Sequence, residues 1–278
     1  MSLMSVQNAD IIFGAHPASV FSMIDSGETR EAIRKKTGHT LAVSGASLSL
    51  YEGEIVVLMG LSGSGKSSLL RAFNGLNPVS RGQVCFKNQP VTDFKFLRRS
   101  QISMVFQTPA LLPWRTVFDN IALGLEFKNL EPAKISRLVF ENLERVGLEA
   151  WSKSYPRELS GGMQQRVGLA RALAMESNIL LMDEPFSALD PLIRAQLQQE
   201  LLKLQKDLKK TILFVSHDLN EALLLGNRIA ILDNGQIIQI GTPQEITSNP
   251  VNAHVNRFVA MAEKHCPRCA SKIEDMPQ

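Results

Sequence analysis

The fold of this chain is decided by the stretch Met59-Gly60-Leu61-Ser62-Gly63-Ser64-Gly65-Lys66-Ser67-Ser68, which directly follows the apolar run Ile55-Val56-Val57-Leu58. Its glycines allow a tight turn in which several backbone N–H groups converge on one anion with no Cβ in the way. Lys66 adds a positive charge, and a helix beginning at Ser67 directs its positive end at the same anion and offers a hydroxyl for Mg²⁺. The stretch matches G-x-x-x-x-G-K-[ST] between a strand and a helix, as this pattern requires. It therefore predicts a phosphate-binding loop rather than an ordinary Gly/Ser turn.

The composition is that of a globular protein with a full core. The chain has 278 residues, 44% apolar and 21% charged, so we expect one large domain or one domain with an inserted lobe. A net charge of +3 without a basic stripe does not indicate nucleic-acid binding. No apolar run approaches the roughly 20 residues that span a bilayer, and the N-terminus lacks a signal-peptide pattern. Three cysteines, Cys85, Cys266 and Cys269, do not make a disulfide framework and favour a reducing, cytoplasmic compartment.

The remaining segments predict an α/β core around the loop. We exclude residues 1–5 as an expression remnant and expect a helical lead-in over residues 6–39. Strands and helices alternate on both sides of a purely helical block, which favours a doubly wound core with an inserted lobe. Strands are expected at residues 40–51, 54–59, 82–86, 102–106, 178–182, 211–215, 228–232 and 236–240, the last two joined by an Asp233-Asn234-Gly235 hairpin turn. The expected division is a core of residues 40–107 and 167–262, a helical subdomain of residues 108–166 and a polar tail of residues 263–278.

Polar side chains follow three of the predicted strands. Asp183 and Glu184 come at the carboxyl edge of the sheet, where ligands bind in this architecture. Alone, two adjacent acids are more often a helix cap, but behind a complete phosphate loop we assign Asp183 to Mg²⁺ and Glu184 to deprotonating a water. His217 is a candidate for contact with the γ-phosphate, and Gln107 for contact with Mg²⁺ or the attacking water. Taken alone, His217 would be structural and Gln107 an exposed turn residue.

A second glycine-assisted helix start lies in Leu159-Ser160-Gly161-Gly162-Met163-Gln164-Gln165-Arg166. A hydroxyl and glycines at a helix N-terminus predict a second anion-binding site. The chain thus carries two phosphate-binding helix ends for one nucleotide.

In this order, the segments resemble the ATP-binding subunit of an ATP-binding cassette (ABC) transporter over roughly residues 41–258. The combination of LSGG, GLSGSGKSS and a strand ending in Asp-Glu is highly specific. The resemblance implies a P-loop NTPase (RecA-like) α/β core with a mixed sheet, an antiparallel β edge and an inserted α-helical subdomain. It implies ATP and Mg²⁺ as cofactors, with Ser67, Gln107 and Asp183 at the metal and with Glu184, His217 and Gln107 as catalytic residues.

The resemblance also implies partners. Two copies would pack head to tail, with ATP between the phosphate loop of one and Ser160, Gly161 and Gly162 of the other. The segment Ser187-Ala188-Leu189-Asp190 would cross that interface beside the catalytic glutamate. Integral-membrane permease subunits are expected, a solute-binding protein only indirectly, and nucleic acid not at all. The expected location is peripheral, at the cytoplasmic face of the inner membrane.

Within the ABC family, several segments of this sequence resemble the ATP-binding subunits of importers for quaternary amines, namely glycine betaine, choline and proline betaine. The matching segments are residues 59–66, 111–117, 159–171 and 183–194, together with residues 23–38.

Three other functions are alternatives to import of a quaternary amine. One is an ABC importer of another small polar solute. Another is an ABC ATPase acting on DNA or the ribosome, which would carry a coiled-coil insertion or a second motor. A third is a small-molecule kinase, which would leave the LSGG helix unexplained.

Three features depart from the family or fall outside it. The adenine-stacking aromatic, by spacing, should fall near residues 37–39, where there is none, and His39 is the candidate substitute. Many relatives carry a pair of small regulatory domains after the motor, and the sequence ends before such a pair would fit, so we expect either no such regulation or a shortened chain. Cys266 and Cys269 form a lone CxxC beside His265, whereas a structural zinc site needs four ligands, so we expect a frayed tail.

Overall fold

The structure, a computed structural model, describes residues 2–128, 130–187 and 189–265. Its strands are β1 (Ser2–Phe13), β2 (Thr40–Tyr51), β3 (Ile55–Met59), β4 (Arg81–Phe86), β5 (Gln89–Pro90), β6 (Ile102–Val105), β7 (Ile179–Asp183), β8 (Thr211–Ser216), β9 (Arg228–Asp233) and β10 (Gln236–Gly241). Its α-helices are α1 (Phe21–Asp25), α2 (Arg30–Thr37), α3 (Lys66–Phe73), α4 (Lys95–Ser100), α5 (Val117–Glu126), α6 (Pro132–Arg145), α7 (Gly161–Ala174), α8 (Pro191–Leu208), α9 (Leu219–Leu225), α10 (Pro243–Ser248) and α11 (Ala253–His265). The described residues form two compact units, one within residues 1–92 and 214–278 and the other within residues 93–213. Within the described ranges, no helix is long and apolar enough to cross a bilayer.

The N-terminal residues form a strand, which corrects two predictions. Residues 2–5, part of the segment excluded as an expression remnant, take part in the fold, and residues 6–13 are not helical. Strand β1 pairs antiparallel with both β2 and β4 in a sheet of order β2–β1–β4–β5. Met4 is fully buried in this sheet. The strand is hard to detect in the sequence because its register shifts after Val6, where Asn8 has a φ of +46°, so that buried side chains do not alternate strictly.

Residues 14–39, called here the connecting segment, join β1 to β2. They contain a 3₁₀ turn at Pro17–Val20 and then α1 and α2, so helices do occur where the sequence predicts charged helical turns. The Thr29 hydroxyl caps α2, and Gly38 ends it with a φ of +74°. An apolar cluster attaches the connecting segment to the sheet; its members are Ile12, Val20, Ile33 and Leu41.

A mixed sheet carries the phosphate-binding stretch in the first unit. Its order is β10–β9–β3–β8, with β9 parallel to β3 and antiparallel to β10. All five residues of β3 are buried, as expected for a parallel strand covered on both faces. The predicted hairpin turn joins β9 to β10, and both Asn234 and Gly235 have positive φ, as its tight geometry requires.

The second unit combines a parallel strand pair with helices. Strands β6 and β7 pair in parallel, with Ile102 opposite Ile179. Between them lie α5, α6 and α7, and the described part of residues 108–166 contains no strand. Helix α5 begins with a capping box formed by Thr116 and Asp119. The boundaries of the helical subdomain and of the two core segments remain predictions.

Candidate nucleotide-binding site

The phosphate loop requires glycine at two positions. Gly60 follows β3 with a φ of +152°, and a Cβ there would lie 2.1 Å from the Leu232 carbonyl oxygen. Gly65 has a φ of +107°, and its Cβ would lie 2.3 Å from the Ala42 carbonyl oxygen. Both of these oxygens belong to the backbone, so no rotamer change of a neighbouring residue could make room for a side chain at Gly60 or Gly65. The loop therefore lies directly against the backbone of strands β9 and β2, an approach that only glycine allows.

Lys66 is held over this loop at the first residue of α3. The side chain is 5% exposed, and its Nζ donates to the Gly60 and Leu61 carbonyl oxygens at 2.9 Å each. Ser64 is also buried, and its Oγ has no hydrogen-bond partner among the described residues. A buried ammonium, an orphaned hydroxyl and a helix N-terminus within one glycine loop fit a phosphate group. The rest of the predicted stretch, Ser62, Gly63, Ser67 and Ser68, belongs to the same loop and helix start.

In the second unit, the structure brings two predicted catalytic residues together. Gln107 follows β6 and Glu184 follows β7, and Gln107 Nε2 donates to Glu184 Oε2 at 3.2 Å. Glu184 has a φ of +46°, a strained conformation for a residue other than glycine that costs about 1–3 kcal/mol. The Ser187 hydroxyl, which donates to the Glu184 carbonyl oxygen at 3.0 Å, helps to hold it. Asp183, the last residue of β7, is completely buried.

The predicted second anion site lies at the N-terminus of α7. Ser160 caps the helix, its Oγ accepting from the Met163 N–H at 3.3 Å. Gly161 is exposed, and a Cβ added to it would meet no atom within 4 Å. Gly162 is half-buried beside it. The helix thus begins with an open, glycine-lined turn, and the free N–H groups of its first turn are accessible to an anion from outside the chain.

Helix α7 also fixes the loop that contains Gln107. Gln165 Nε2 donates to the Phe106 carbonyl oxygen at 3.1 Å. Arg171 donates to the carbonyl oxygens of Pro109 at 2.8 Å and Ala110 at 3.0 Å, and burial lowers its pKa. The sequence analysis missed Gln165 and Arg171 because it used only the glycine start of this helix. No local pattern sets them apart from Gln164 and Arg166, the other long polar side chains of this helix.

His217 and Asp190 lie at the starts of helices in different units. His217 directly follows β8, where the Ser216 hydroxyl donates to the buried Glu221 carboxylate at 2.6 Å. The backbone that presents His217 is therefore fixed from both sides, since Asp218 caps α9. Asp190 is exposed and caps α8 by accepting from the Ile193 N–H.

The sequence analysis looked for an adenine-stacking aromatic near residues 37–39, but an aromatic side chain near the phosphate loop comes from strand β1. Phe13, at the end of β1, is paired opposite Thr40 and is 43% exposed. Thr40 lies two residues from Ala42, which contacts Gly65. His39 is a poorer platform because its ring packs against Gly14, whose added Cβ would lie 2.2 Å from His39 Cδ2.

The described residues contain no group of three or more His, Cys, Asp or Glu side chains that could hold a metal ion. The predicted Mg²⁺ ligands are instead a hydroxyl, an amide and a carboxylate, from Ser67, Gln107 and Asp183. Oxygen ligands of this kind, completed by substrate phosphates and water, suit Mg²⁺. Ala188, Cys266 and Cys269 lie outside the described residues.

The glycine loop, the buried lysine and the Asp-Glu strand end together define a nucleotide-binding protein of the P-loop class. The profile of the ABC transporter family matches residues 43–187. The chain therefore belongs to the ABC transporter family and carries its ATP-binding domain, and the predicted P-loop α/β fold is confirmed.

Two relatives and two solved structures are similar to it. The glycine betaine/proline betaine transport system ATP-binding protein ProV of Escherichia coli (strain K12) is 50% identical over 260 residues, 92% of this chain and 65% of ProV. The glycine betaine/carnitine transport ATP-binding protein GbuA of Listeria monocytogenes is 42% identical over 100% of this chain and 71% of GbuA. A dimeric ATP-binding cassette solved with ADP and Pi is 30% identical with a TM-score of 0.75, covering 86% of this chain and 98% of that chain. The protein cbiO1 from Clostridium perfringens is 27% identical with a TM-score of 0.72, covering 98% of this chain and 99% of that chain.

Proposed function

We propose that this protein is the ATP-hydrolysing motor subunit of an importer for a quaternary amine, either choline or glycine betaine/proline betaine. The observation that carries the proposal is 50% identity to ProV over 92% of this chain. The chain spans 65% of the length of ProV, so the activity of the whole protein is inferred rather than transferred. A relative for trimethylamine N-oxide transport in Ruegeria pomeroyi, TmoW, is 43% identical over 267 residues, which supports a methylated amine as the solute class.

In this proposal, the phosphate loop and Lys66 bind the triphosphate, and Phe13 stacks on adenine. Glu184 orients the attacking water and accepts its proton, while His217 contacts the γ-phosphate. The contact between Gln107 and Glu184 supports their joint assignment to the attacking water. Ser67, Gln107 and Asp183 would hold Mg²⁺, which when bound would neutralise negative charge on the phosphates.

Two copies would form the working unit. The open N-terminus of α7 supports this, because Ser160 and Gly161 are exposed, with Gly162 beside them, and can meet the ATP held by a second copy. Asp190 would lie near the same interface. A solved ATP-binding cassette that is 30% identical to this chain is dimeric. The γ-phosphate can drive closure only by contacts that exist in the closed dimer and not in the open one.

The dimer would act at the cytoplasmic face of the inner membrane, docked on permease subunits. Closure would move the helices between β6 and β7, and the loop around Gln107 would transmit that movement. A solute-binding protein would take part only through the permease, so the amine itself does not contact this chain.

Transport tests the proposal directly. The chain is reconstituted in proteoliposomes with the permease and binding protein encoded beside it, and ATP-dependent uptake of radiolabelled choline, glycine betaine and proline betaine is measured. Glu184→Gln is the matched control, because its amide can still accept a hydrogen bond from Gln107 but is a poor base. We expect this variant to bind ATP, remain dimeric and lose uptake and hydrolysis together. Uptake of none of the three amines would contradict the amine assignment, and normal ATP turnover by Glu184→Gln would contradict the assignment of the base.

A further inference from the structure

Arg30, the first residue of α2 in the connecting segment, has contacts that the proposed function does not use. Its Nε donates to the Leu41 carbonyl oxygen at 2.6 Å, and its Nη1 donates to the Gly63 carbonyl oxygen at 3.3 Å. One guanidinium therefore joins strand β2 to the phosphate loop. Both acceptors are main-chain atoms, so the contacts act on backbone orientation.

The Gly63 carbonyl matters because of peptide geometry. In a trans peptide the C=O group and the following N–H group point in opposite directions. Arg30 holds the Gly63 carbonyl, and the Ser64 N–H on the far side of that peptide points across the turn to the Leu61 carbonyl oxygen at 3.1 Å. The next carbonyl, of Ser64, accepts from the Gly235 N–H at 2.9 Å. Two successive carbonyls of the loop are thus fixed by partners outside it, and the N–H behind the first of them closes the turn on Leu61.

The charge of Arg30 is partly withdrawn from water. Burial lowers the pKa of its guanidinium, and the nearby Asp233 carboxylate acts in the opposite direction. Arginine nevertheless stays charged at neutral pH. Because screening is weaker for a partly buried group, its positive potential reaches the phosphate loop more effectively than that of an exposed side chain.

The connecting segment is anchored at its other end as well. Arg81 Nε donates to the buried Asp10 carboxylate at 2.6 Å, and its Nη1 donates to Asp25, at the end of α1, at 2.7 Å. The same guanidinium lies over the Phe21 ring, 5.0 Å from its centroid. Arg30 is therefore presented to the loop by an element that is fixed to the antiparallel sheet.

We propose that Arg30 is a positioning residue for the phosphate loop. By holding the Gly63 carbonyl it fixes the Gly63–Ser64 peptide, and with it the turn that the Ser64 N–H closes on the Leu61 carbonyl oxygen. The loop thereby keeps its shape for phosphate, and Arg30 adds positive potential beside it. The proposal rests on the proposed binding of ATP by this loop, but not on hydrolysis, dimerisation or transport.

The test compares Arg30→Gln with Arg34→Gln in the full chain. Arg34 lies one turn further along α2 and is exposed. ATP and ADP affinities are measured by calorimetry, and amide hydrogen exchange is followed across residues 60–69 in the nucleotide-free protein. We expect Arg30→Gln to bind both nucleotides about tenfold more weakly, equivalent to ~1.4 kcal/mol, and to exchange faster across the loop. Arg34→Gln should stay within about twofold of the starting protein.

Arg30→Lys keeps the charge but lacks the planar fork that spans two carbonyls. It should recover part of the affinity while its loop still exchanges faster, and it serves as the comparison if thermal unfolding shows that Arg30→Gln does not fold. Arg30 variants that bind nucleotide as tightly as Arg34→Gln, or that exchange like the starting protein, would overturn the proposal. Failure of the unsubstituted chain to bind ATP would instead refute the proposed function.

Discussion

Gly65→Ala tests whether the phosphate loop depends on close approach of two backbones. A Cβ at this position would lie 2.3 Å from the Ala42 carbonyl oxygen, whereas ordinary contact begins at 3.4 Å. The residue also has a φ of +107°, which L side chains rarely adopt. Strained backbone costs about 1–3 kcal/mol and overpacking about 1–3 kcal/mol, so the variant should lose roughly 2–6 kcal/mol in total. If the loop moves to relieve the clash, part of this loss will occur as weaker ATP binding, at tenfold per ~1.4 kcal/mol.

Gly63→Ala is the matched control, because it changes the same loop without a clash. Its φ is +76°, but a Cβ there would meet no atom within 4 Å. The expected cost is only the left-handed conformation, about 1–2 kcal/mol. Thermal unfolding and ATP calorimetry on both variants give the sum of lost stability and lost affinity. Equal sums for Gly65→Ala and Gly63→Ala would refute the requirement for close approach.

Three further predictions concern residues outside the phosphate loop. Phe13→Ala should weaken ATP binding by about 1–3 kcal/mol, the usual value of base stacking, while His39→Ala should not; calorimetry showing the reverse would restore His39 as the platform. Gly161→Ala should stabilise the free chain by about 0.5–1 kcal/mol yet prevent ATP-dependent dimerisation in ultracentrifugation, and intact dimers would remove Gly161 from the interface. Arg171→Met should lower kcat about ten- to a hundredfold, with little change in KM for ATP, because the loop around Gln107 loosens; kinetics equal to those of the exposed control Arg137→Met would contradict this.

The phosphate loop and the strand ends could be predicted because their signals are local. Three glycines, a lysine and a hydroxyl occur within one short stretch, and the buried strand before it has no polar side. The contact between Gln107 and Glu184 was also within reach, since the carboxyl ends of parallel strands lie at one edge of a sheet. The contacts of Gln165 and Arg171 in α7 could not be predicted, because nothing in their spacing indicates which backbone carbonyls they meet.

Strand β1 was missed for a different reason. A strand with one buried face is detected by strict alternation, and the register shift after Val6 removes that alternation. The sheet tolerates the shift because β1 has neighbours on both sides, so its backbone groups keep partners along most of its length. A pairing partner far away in the chain thus supplied the stability that the local pattern did not reveal.

Distance across a sheet is set by register rather than by separation along the chain. Phe13 and Thr40 are opposite each other in β1 and β2, so the connecting segment between them can be long without moving Phe13 relative to the phosphate loop. Counting back from the loop along the sequence therefore falls inside α2 and its cap, where no aromatic is needed. The same length of chain allows α2 to turn back over the sheet and place Arg30 on the Gly63 carbonyl. The connecting segment thus explains why counting residues back from the loop does not locate Phe13. It also adds the contact of Arg30 with Gly63, which the loop motif alone does not predict.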